Sequence, residues 1–425
     1  MTRTPRALSP YTLYLLIEGV TAFAVGLVYT TIVLYRVQDA GLSPLQVVLV
    51  GTVLEAAFFL VHVPTGLLAD TVSRKRFVTA GLLVLGVGFT VEGLVPAFAA
   101  ILVAQILCAA GFAFMGGALE AWAADEIPPE RLDHAVMRAA QLGMLGTLAG
   151  ALLSGVTAAF WTPLPFHVAG ALFVLLGVLT GIAMREGRFR ARRGRVSGRE
   201  LWASVPGDVR RTARNAASLR RTAPLIGLVF AVSLFFGLYS EGWDRLSQVH
   251  LTESFEFPET AGLSAPVWLS LIVFAATLAG LGATEIVRRR LGRPGSDPVP
   301  SLLVLTAVVA ASAAVFGVAG GFLVAVAVYC LSSGAKAAVS PAMTAWTMRN
   351  SAPESRATVL STAQSFDSLG QVAGGPAIGL VGERSLRAAM VAAAALLLPA
   401  AALLVRALRR RGAERQGEAA KTTIG

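Results

Sequence analysis

The chain has 425 residues, of which 55% are hydrophobic and only 14% are charged. Soluble domains carry about 25% charged residues on average, so this composition excludes an ordinary soluble globular domain. The formal net charge of +11 is spread over short segments between apolar runs, without a basic domain and without interleaved aromatic residues. We therefore exclude nucleic acid as a partner.

Twelve apolar runs follow one another along the chain, each with roughly the 20 residues that a helix needs to cross about 30 Å of hydrocarbon. Each run must be helical in a bilayer, because unpaired backbone amides are too costly in lipid. The predicted fold class is therefore an all-α integral membrane protein with 12 transmembrane helices. The predicted spans are 11–34, 45–69, 77–98, 100–123, 136–160, 164–184, 224–248, 262–286, 299–318, 320–347, 356–381 and 385–407.

One long polar connection, 185–222, carries twelve arginines and separates two groups of six spans. We predict an N-terminal six-helix bundle at 1–184, this segment as a cytoplasmic linker, a C-terminal six-helix bundle at 223–408 and a cytoplasmic tail at 409–425. All but five of the 36 Lys and Arg residues lie on the side of the membrane that holds the linker and both termini. The positive-inside rule makes that side cytoplasmic. Because lysine is scarce beside arginine, as in GC-rich bacterial genomes, we predict a multi-pass protein of a bacterial inner membrane.

The two halves resemble each other at a fixed offset. A shift of 224 residues lays four dipeptides onto identical ones, among them Ala121-Trp122 onto Ala345-Trp346 and Leu145-Gly146 onto Leu369-Gly370. Parallel repeats about an axis along the membrane normal are typical of one large class of transporters. The repeat therefore predicts two bundles related by a pseudo-twofold axis.

The end of span 2 carries the most specific local motif, GLLADTVSRKR at residues 66–76. At this motif the chain resembles the major facilitator superfamily, whose signature in the loop between spans 2 and 3 reads roughly G-x-L-A-D-x-x-G-R-[KR]-x. Ser73 replaces the second glycine. Span count, linker and repeat extend the resemblance over the whole chain. The matching positions are Gly66, Leu68, Ala69, Asp70, Arg74 and Lys75.

The resemblance implies alternating access, in which two six-helix bundles rock around a central cavity. It also implies a conformational latch at the cytoplasmic side, formed by Asp70, Arg74 and Lys75. Asp125 at the end of span 4 takes the place of the usual acidic partner. Nearby alternatives to that partner are Glu120, Glu126 and Arg131.

Ionisable side chains at membrane depth are costly, so each is a candidate functional residue. Acids outnumber bases there, which favours protons and cationic solutes. We favour Glu18 and Glu55 for proton coupling, since neither has a basic residue nearby in the sequence. The full set of transport or proton-coupling candidates is Glu18, Glu55, Glu120, Glu241, Asp367 and Lys336.

Two of these candidates have a second interpretation, because Lys336 and Asp367 could simply neutralise each other. Asp244 and Arg245, near the outer end of span 7, are candidates for the ion pair of an external gate. His62 in span 2 is interpreted as a packing residue.

The predicted function is secondary active transport, most simply proton-coupled efflux of small amphipathic or cationic drugs or metabolites by an antiporter. The span 4 arginine and the span 5 Gly-Pro pair common in drug–proton antiporters of the family are missing. The alternative is therefore a proton-coupled importer of a nutrient or organic ion. We predict no enzyme, because the chain has no H-E-x-x-H, Walker or G-x-S-x-G motif.

No cofactor or metal is predicted either. Cys108 and Cys330 each lie inside an apolar run, which argues against a disulfide framework and against a zinc site. The partners that we expect are a small-molecule substrate, protons and the lipid bilayer. We expect the chain to act as a monomer.

Overall fold

A computed structural model describes residues 8–71, 73–187, 224–258, 262–293 and 295–424, and within them it omits the side chains of 62–71, 224, 354, 357 and 411–424. All regular secondary structure in this part of the chain is helical. The arginine-rich linker predicted at 185–222 lies outside the described residues from 188 onward.

Twelve long helices follow one another, and we number them α1–α12 in chain order. Eleven of them are long and apolar enough to cross a membrane. The twelfth, α11, is 29 residues long but contains several polar residues. The predicted all-α, 12-helix membrane fold is confirmed for the described chain. The helices are α1 Pro10–Tyr29, α2 Pro44–Thr71, α3 Arg74–Leu94, α4 Phe98–Glu126, α5 Pro129–Phe160, α6 Leu164–Ala183, α7 Pro224–Ser254, α8 Ala265–Leu291, α9 Pro298–Val318, α10 Phe322–Arg349, α11 Arg356–Arg384 and α12, which begins at Leu386.

Three of these spans are interrupted. After α1 the chain makes a turn at Thr30 and Thr31 and continues as a short helix, Ile32–Leu34, and a π-helix, Tyr35–Asp39. The hydroxyl of Thr31 hydrogen-bonds that of Ser154 at 2.8 Å, so a buried polar contact holds this turn in place. The other breaks fall at Gly116 and Gly117 in α4 and at Leu396 in α12.

The chain forms two compact units. The first comprises Met1–Leu42, Val53–Gly207 and Pro258–Phe274, and the second comprises Ser43–Thr52, Asp208–Phe257 and Ala275–Gly425. Most of each unit comes from one half of the chain, and the exceptions lie in α2 and α8. The first part of each of those helices groups with the unit of the other half.

Small residues allow the helices inside each unit to pack closely. In the first unit α1 packs on α5, where a Cβ on Gly146 or Gly150 would overlap the backbone of α1. In the second unit α7 packs on α11, where Gly237 and Gly370 face each other. Such glycines permit close backbone approach between membrane helices. The close packing at Gly237 and Gly370 holds α11 against α7 and so positions the face of α11 that carries Asp367.

Candidate functional site

A polar cavity of about 490 Å³ lies inside the second unit, between α7, α10 and α11. Seven lining residues carry a hydroxyl or an amide, three are charged and five are apolar. The lining residues are Ser233, Phe236, Ser240 and Asp244 from α7, Lys336, Val339, Ser340, Met343, Thr344 and Thr347 from α10, and Leu360, Ala363, Gln364, Asp367 and Gln371 from α11.

The lining side chains of each helix lie on one face of that helix, and each such face forms one wall of the cavity. The lining residues of α10 and α11 recur at intervals of three or four with their neighbours, which places them on one helical face. On α11 this face carries Gln364, Asp367 and Gln371 beside Leu360 and Ala363.

Lys336 and Asp244 form an ion pair at the cavity wall. The Lys336 ammonium donates to both carboxylate oxygens of Asp244, each at 2.5 Å. The side chains are 23% and 47% exposed, respectively, so the cavity leaves them accessible. Asp244 is thus the carboxylate that Lys336 hydrogen-bonds, and the suggestion that Lys336 and Asp367 neutralise each other stays a prediction.

Asp367 also lines the cavity and accepts a hydrogen bond from the side-chain amide of Gln371 at 2.8 Å. Its partner among the described residues is thus an amide and no cation is in direct contact. With Asp244 and Lys336 cancelling each other, the ionised cavity carries one excess negative charge. The cavity therefore brings together three predicted residues: Asp244, Lys336 and Asp367.

Glu241 and Arg245 form a separate pair one turn apart on α7. The Arg245 Nε donates to Glu241 Oε1 at 3.1 Å, and the Glu241 side chain is only 2% exposed. A Cβ on Gly51 of α2 would overlap both side chains, so the pair is packed directly against α2 within the second unit. Arg245 thus pairs with Glu241, while Asp244, its predicted partner in a gate, turns into the cavity.

The first unit holds the remaining acidic candidates. Glu18 is half-buried on α1, and it lies within electrostatic range of Glu120 on α4. The buried phenol of Tyr14 experiences the charge of both carboxylates. Glu55 is half-buried on α2. The coupling roles of these acids stay predictions.

The predicted latch contains a carboxylate that the sequence analysis missed. Arg74 contacts the carboxylate of Asp125 and donates to the carbonyl oxygen of Ala121 at 2.6 Å. Glu186, just beyond α6, accepts a hydrogen bond from the Lys75 backbone N–H at 2.8 Å. The two residues are 111 apart in the chain, so the sequence carries no direct signal of this contact. The Asp70 side chain lies outside the described residues, and the latch role stays a prediction.

A buried polar network in the first unit was also missed. The Arg36 guanidinium donates twice to Glu92 Oε1, at 3.0 and 2.8 Å, and the Gln105 amide donates to Glu92 Oε2 at 2.6 Å. The Arg36 and Glu92 side chains are 2% and 0% exposed. The hydroxyl of Tyr35 contacts the Glu92 carbonyl oxygen. One acid inside span 3 and one arginine just beyond span 1 were the signals available in the sequence.

Twelve long helices, eleven of them apolar enough to cross a membrane, together with a cavity lined by charged and polar side chains in the second unit, are features of a multi-pass membrane transporter. The family model described as Major Facilitator Superfamily matches residues 14–333. The chain belongs to that superfamily. No curated protein matched the chain.

Solved structures of three different transporters have the same fold. The nucleoside transporter NupG matches with a TM-score of 0.74 at 13% identity, covering 94% of this chain and 99% of that one. A POT family transporter in complex with a thioalcohol-conjugated peptide matches with a TM-score of 0.72 at 11% identity, covering 94% and 96%. A bacterial homologue of the human lysosomal transporter Spinster matches with a TM-score of 0.67 at 16% identity, again covering 94% and 96%. At such identities the likeness establishes the fold alone.

Proposed function

We propose that this chain is a proton-coupled secondary transporter that exports small cationic or amphipathic compounds by alternating access. The observation that carries the proposal is the carboxylate of Asp367, which faces the cavity of the second unit with an amide as its hydrogen-bond partner. The net charge of the cavity then depends on whether this one carboxylate holds a proton.

Proton and substrate compete for Asp367 in this scheme. The ionised carboxylate attracts a cationic group, and protonation removes that attraction. By linkage, a proton that weakens substrate binding is itself bound less tightly when substrate is present. A proton gradient can therefore drive exchange, because protons entering at one side displace substrate from the same site.

The rest of the cavity fits an amphipathic solute. Phe236, Met343 and Leu360 supply apolar contact area, while the hydroxyl and amide side chains supply hydrogen bonds. Ligand sites are mostly apolar with a few polar groups that fix orientation. This cavity is more polar than that pattern, so we expect a substrate with several hydrogen-bonding groups.

A proton-coupled importer of an organic ion is the second candidate, and the Lys336–Asp244 pair is the observation that favours it. Both side chains are partly exposed to the cavity. A zwitterionic solute could separate them, since its carboxylate would take Lys336 and its ammonium group would take Asp244. The pair between Lys336 and Asp244 would then be replaced by two pairs with the solute, so neither charge would be left buried and unpaired.

The test uses purified protein in proteoliposomes and a panel of radiolabelled cationic, zwitterionic and neutral compounds, with and without an imposed pH gradient. Asp367→Asn should abolish gradient-driven accumulation. It should also weaken substrate binding, as protonation does, so that the counterflow that remains at high substrate concentration no longer depends on pH. Glu253→Gln, which neutralises an exposed acid of α7 outside the cavity, is the matched control and should behave as the wild type does.

Full gradient-driven accumulation by Asp367→Asn would move the coupling site elsewhere, with Glu18, Glu55 and Glu241 next to be replaced. Transport driven by a sodium gradient and insensitive to a proton gradient would refute proton coupling. Accumulation of zwitterions against a gradient, together with loss of that activity in Lys336→Gln, would favour the importer.

A further inference from the structure

A second cavity, of about 270 Å³, lies in the second unit between α8, α9 and α10. Among the described residues it shares no lining residue with the cavity of the candidate site. Its wall is apolar except at one end, where Arg290 stands beside Ile286 and Ser301. We propose that this groove binds an anionic phospholipid, with an acyl chain along the apolar wall and the phosphate held by Arg290.

The wall of the groove opens to the outside of the unit. Ile286, Val304 and Leu331 line it and are 59%, 55% and 53% exposed. Large apolar side chains with that exposure have lipid as their natural neighbour in a membrane helix. The groove therefore has the chemistry of a hydrocarbon tail along most of its length.

The dimensions match one leaflet. Ala279, Ala283, Ile286 and Arg290 recur at helical spacing and so share one face of α8. At 1.5 Å per residue, the eleven steps from Ala279 to Arg290 span about 16 Å. Half of the hydrocarbon core measures about 15 Å, so a tail that starts near the bilayer centre would end with its headgroup at Arg290.

The inner end of the groove is closed by helix contact. A Cβ on Gly334 of α10 would lie 2.9 Å from the Cβ of Ala279, so the two helices touch there. α8 and α10 thus meet at the apolar end, and the charged end remains open. Because the arginine stands at one end only, it orients a bound lipid with its phosphate at Arg290 and its tail toward Gly334 and Cys330.

Three consecutive arginines, 288–290, lie in the last turn of α8, and Arg290 is the one of them that lines the groove. Arg288 and Arg289 each bind the carboxylate of Glu285, at 2.6 and 2.7 Å. Arg290 has no acidic side chain within ion-pair distance in the described part of the chain. Guanidinium groups bind phosphate through paired hydrogen bonds. The positive-inside rule predicts that this end faces the cytoplasmic leaflet, where anionic lipids attract basic residues.

Cys330 lines the groove and provides a probe in the intact protein, since Cys108, the other cysteine, is fully buried. The experiment uses a Cys108→Ala background reconstituted in phosphatidylcholine or in phosphatidylglycerol. Modification of Cys330 by N-ethylmaleimide, which partitions into bilayers, should be slower in phosphatidylglycerol. Native mass spectrometry should show a phosphatidylglycerol molecule that survives delipidation.

Arg290→Gln should lower retention of phosphatidylglycerol about fivefold or more, as expected for one arginine at a membrane surface, and should remove the protection of Cys330. Arg293→Gln removes an equal charge outside the groove and is the matched control. Ala283→Phe fills the groove and keeps Arg290, so it should also lower retention.

Equal protection of Cys330 in both lipids, or equal loss of retention in Arg290→Gln and Arg293→Gln, would overturn the proposal. Unchanged retention by Ala283→Phe would also overturn the proposal. It would show that the lipid is held by its headgroup alone and that its tail does not lie in the groove. Protection that rises with protein concentration instead of lipid charge would assign the groove to a second copy of the chain.

Discussion

Replacing Glu92 by leucine would leave Arg36 as an uncompensated charge inside the first unit. The Arg36 side chain is only 2% exposed, so water cannot replace the lost carboxylate. Gln105 would lose the acceptor of its 2.6 Å hydrogen bond at the same time. Removing one member of a buried ion pair costs about 3–5 kcal/mol, whereas replacing both by apolar residues is often close to neutral.

The double replacement Arg36→Met with Glu92→Leu should therefore be more stable than Glu92→Leu alone. This order of stabilities distinguishes two causes of destabilisation, an unpaired buried charge and a loss of packing contacts. If lost contacts were the cause, the double variant would be the least stable. Glu130→Gln, which neutralises an exposed acid of α5 in the same unit, is the matched control. It should change stability by no more than about 0.5 kcal/mol.

Cys108 reports on this region directly. It is fully buried on α4, one turn after Gln105, and its sulfur packs against Gly88 of α3. In a Cys330→Ala background it is the one thiol, so its labelling rate in folded protein measures local opening. Since each 1.4 kcal/mol is a factor of ten, Glu92→Leu should speed labelling roughly a hundred- to several thousand-fold.

Two results would refute this reasoning. Labelling of Glu92→Leu at the wild-type rate would mean that the network does not stabilise the packing of α3 on α4. Labelling of the double variant faster than the single one would mean that the contacts of Arg36 matter more than its charge.

Three further predictions concern the latch, the topology and the packing of the second unit. Asp125→Asn weakens the contact with Arg74 and should cut transport while leaving membrane abundance unchanged on an immunoblot; a normal transport rate would contradict the latch. In intact cells an impermeant maleimide should label Glu253→Cys, at the outer end of α7, but not Ser197→Cys in the linker, and the reverse pattern would overturn the orientation. Gly370→Ala places a methyl group against the backbone of α7 and should cost about 1–3 kcal/mol, seen as a lower melting temperature in detergent; an unchanged melting temperature would show that the two helices are less closely packed.

The helices were predictable because lipid imposes a length and a composition on every span. Even α11 was recognisable as one of the twelve apolar runs, although Asp367 and Gln371 lie within it. The turn at Thr30 and Thr31 was not predictable, since both residues occur in unbroken helices too. It depends on a hydrogen bond to Ser154, which lies 123 residues away.

The members of the site were predictable, but their partners were not. Lys336 and Asp244 stand out as charges at membrane depth, yet their pairing across 92 residues depends on how α7 and α10 are rotated about their axes. Helical spacing could have corrected one predicted pair, that of Asp244 with Arg245. Residues four apart on a helix are neighbours and adjacent ones are not, so Arg245 belongs with Glu241.

The Arg36–Glu92 network shows a different limit. Arg36 follows the end of span 1 and reads as a loop residue in the sequence. In the structure Arg36 lies in the π-helix Tyr35–Asp39, and the Arg36 side chain is buried. A π-helix is rare and has no reliable sequence signature, which is why the partner of Glu92 could not be named beforehand.

The composition of the two units bears on how the protein is made. Pro258–Phe274 belongs to the first unit, although the ribosome reaches it only after the linker and all of α7. A nascent chain that has emerged as far as the linker therefore still lacks part of its first unit. Ser43–Thr52, translated before the linker, belongs to a unit whose other members come after residue 207. Neither unit can be completed from its own half of the gene, so two separately expressed halves should each be recognised as unfinished by membrane quality control.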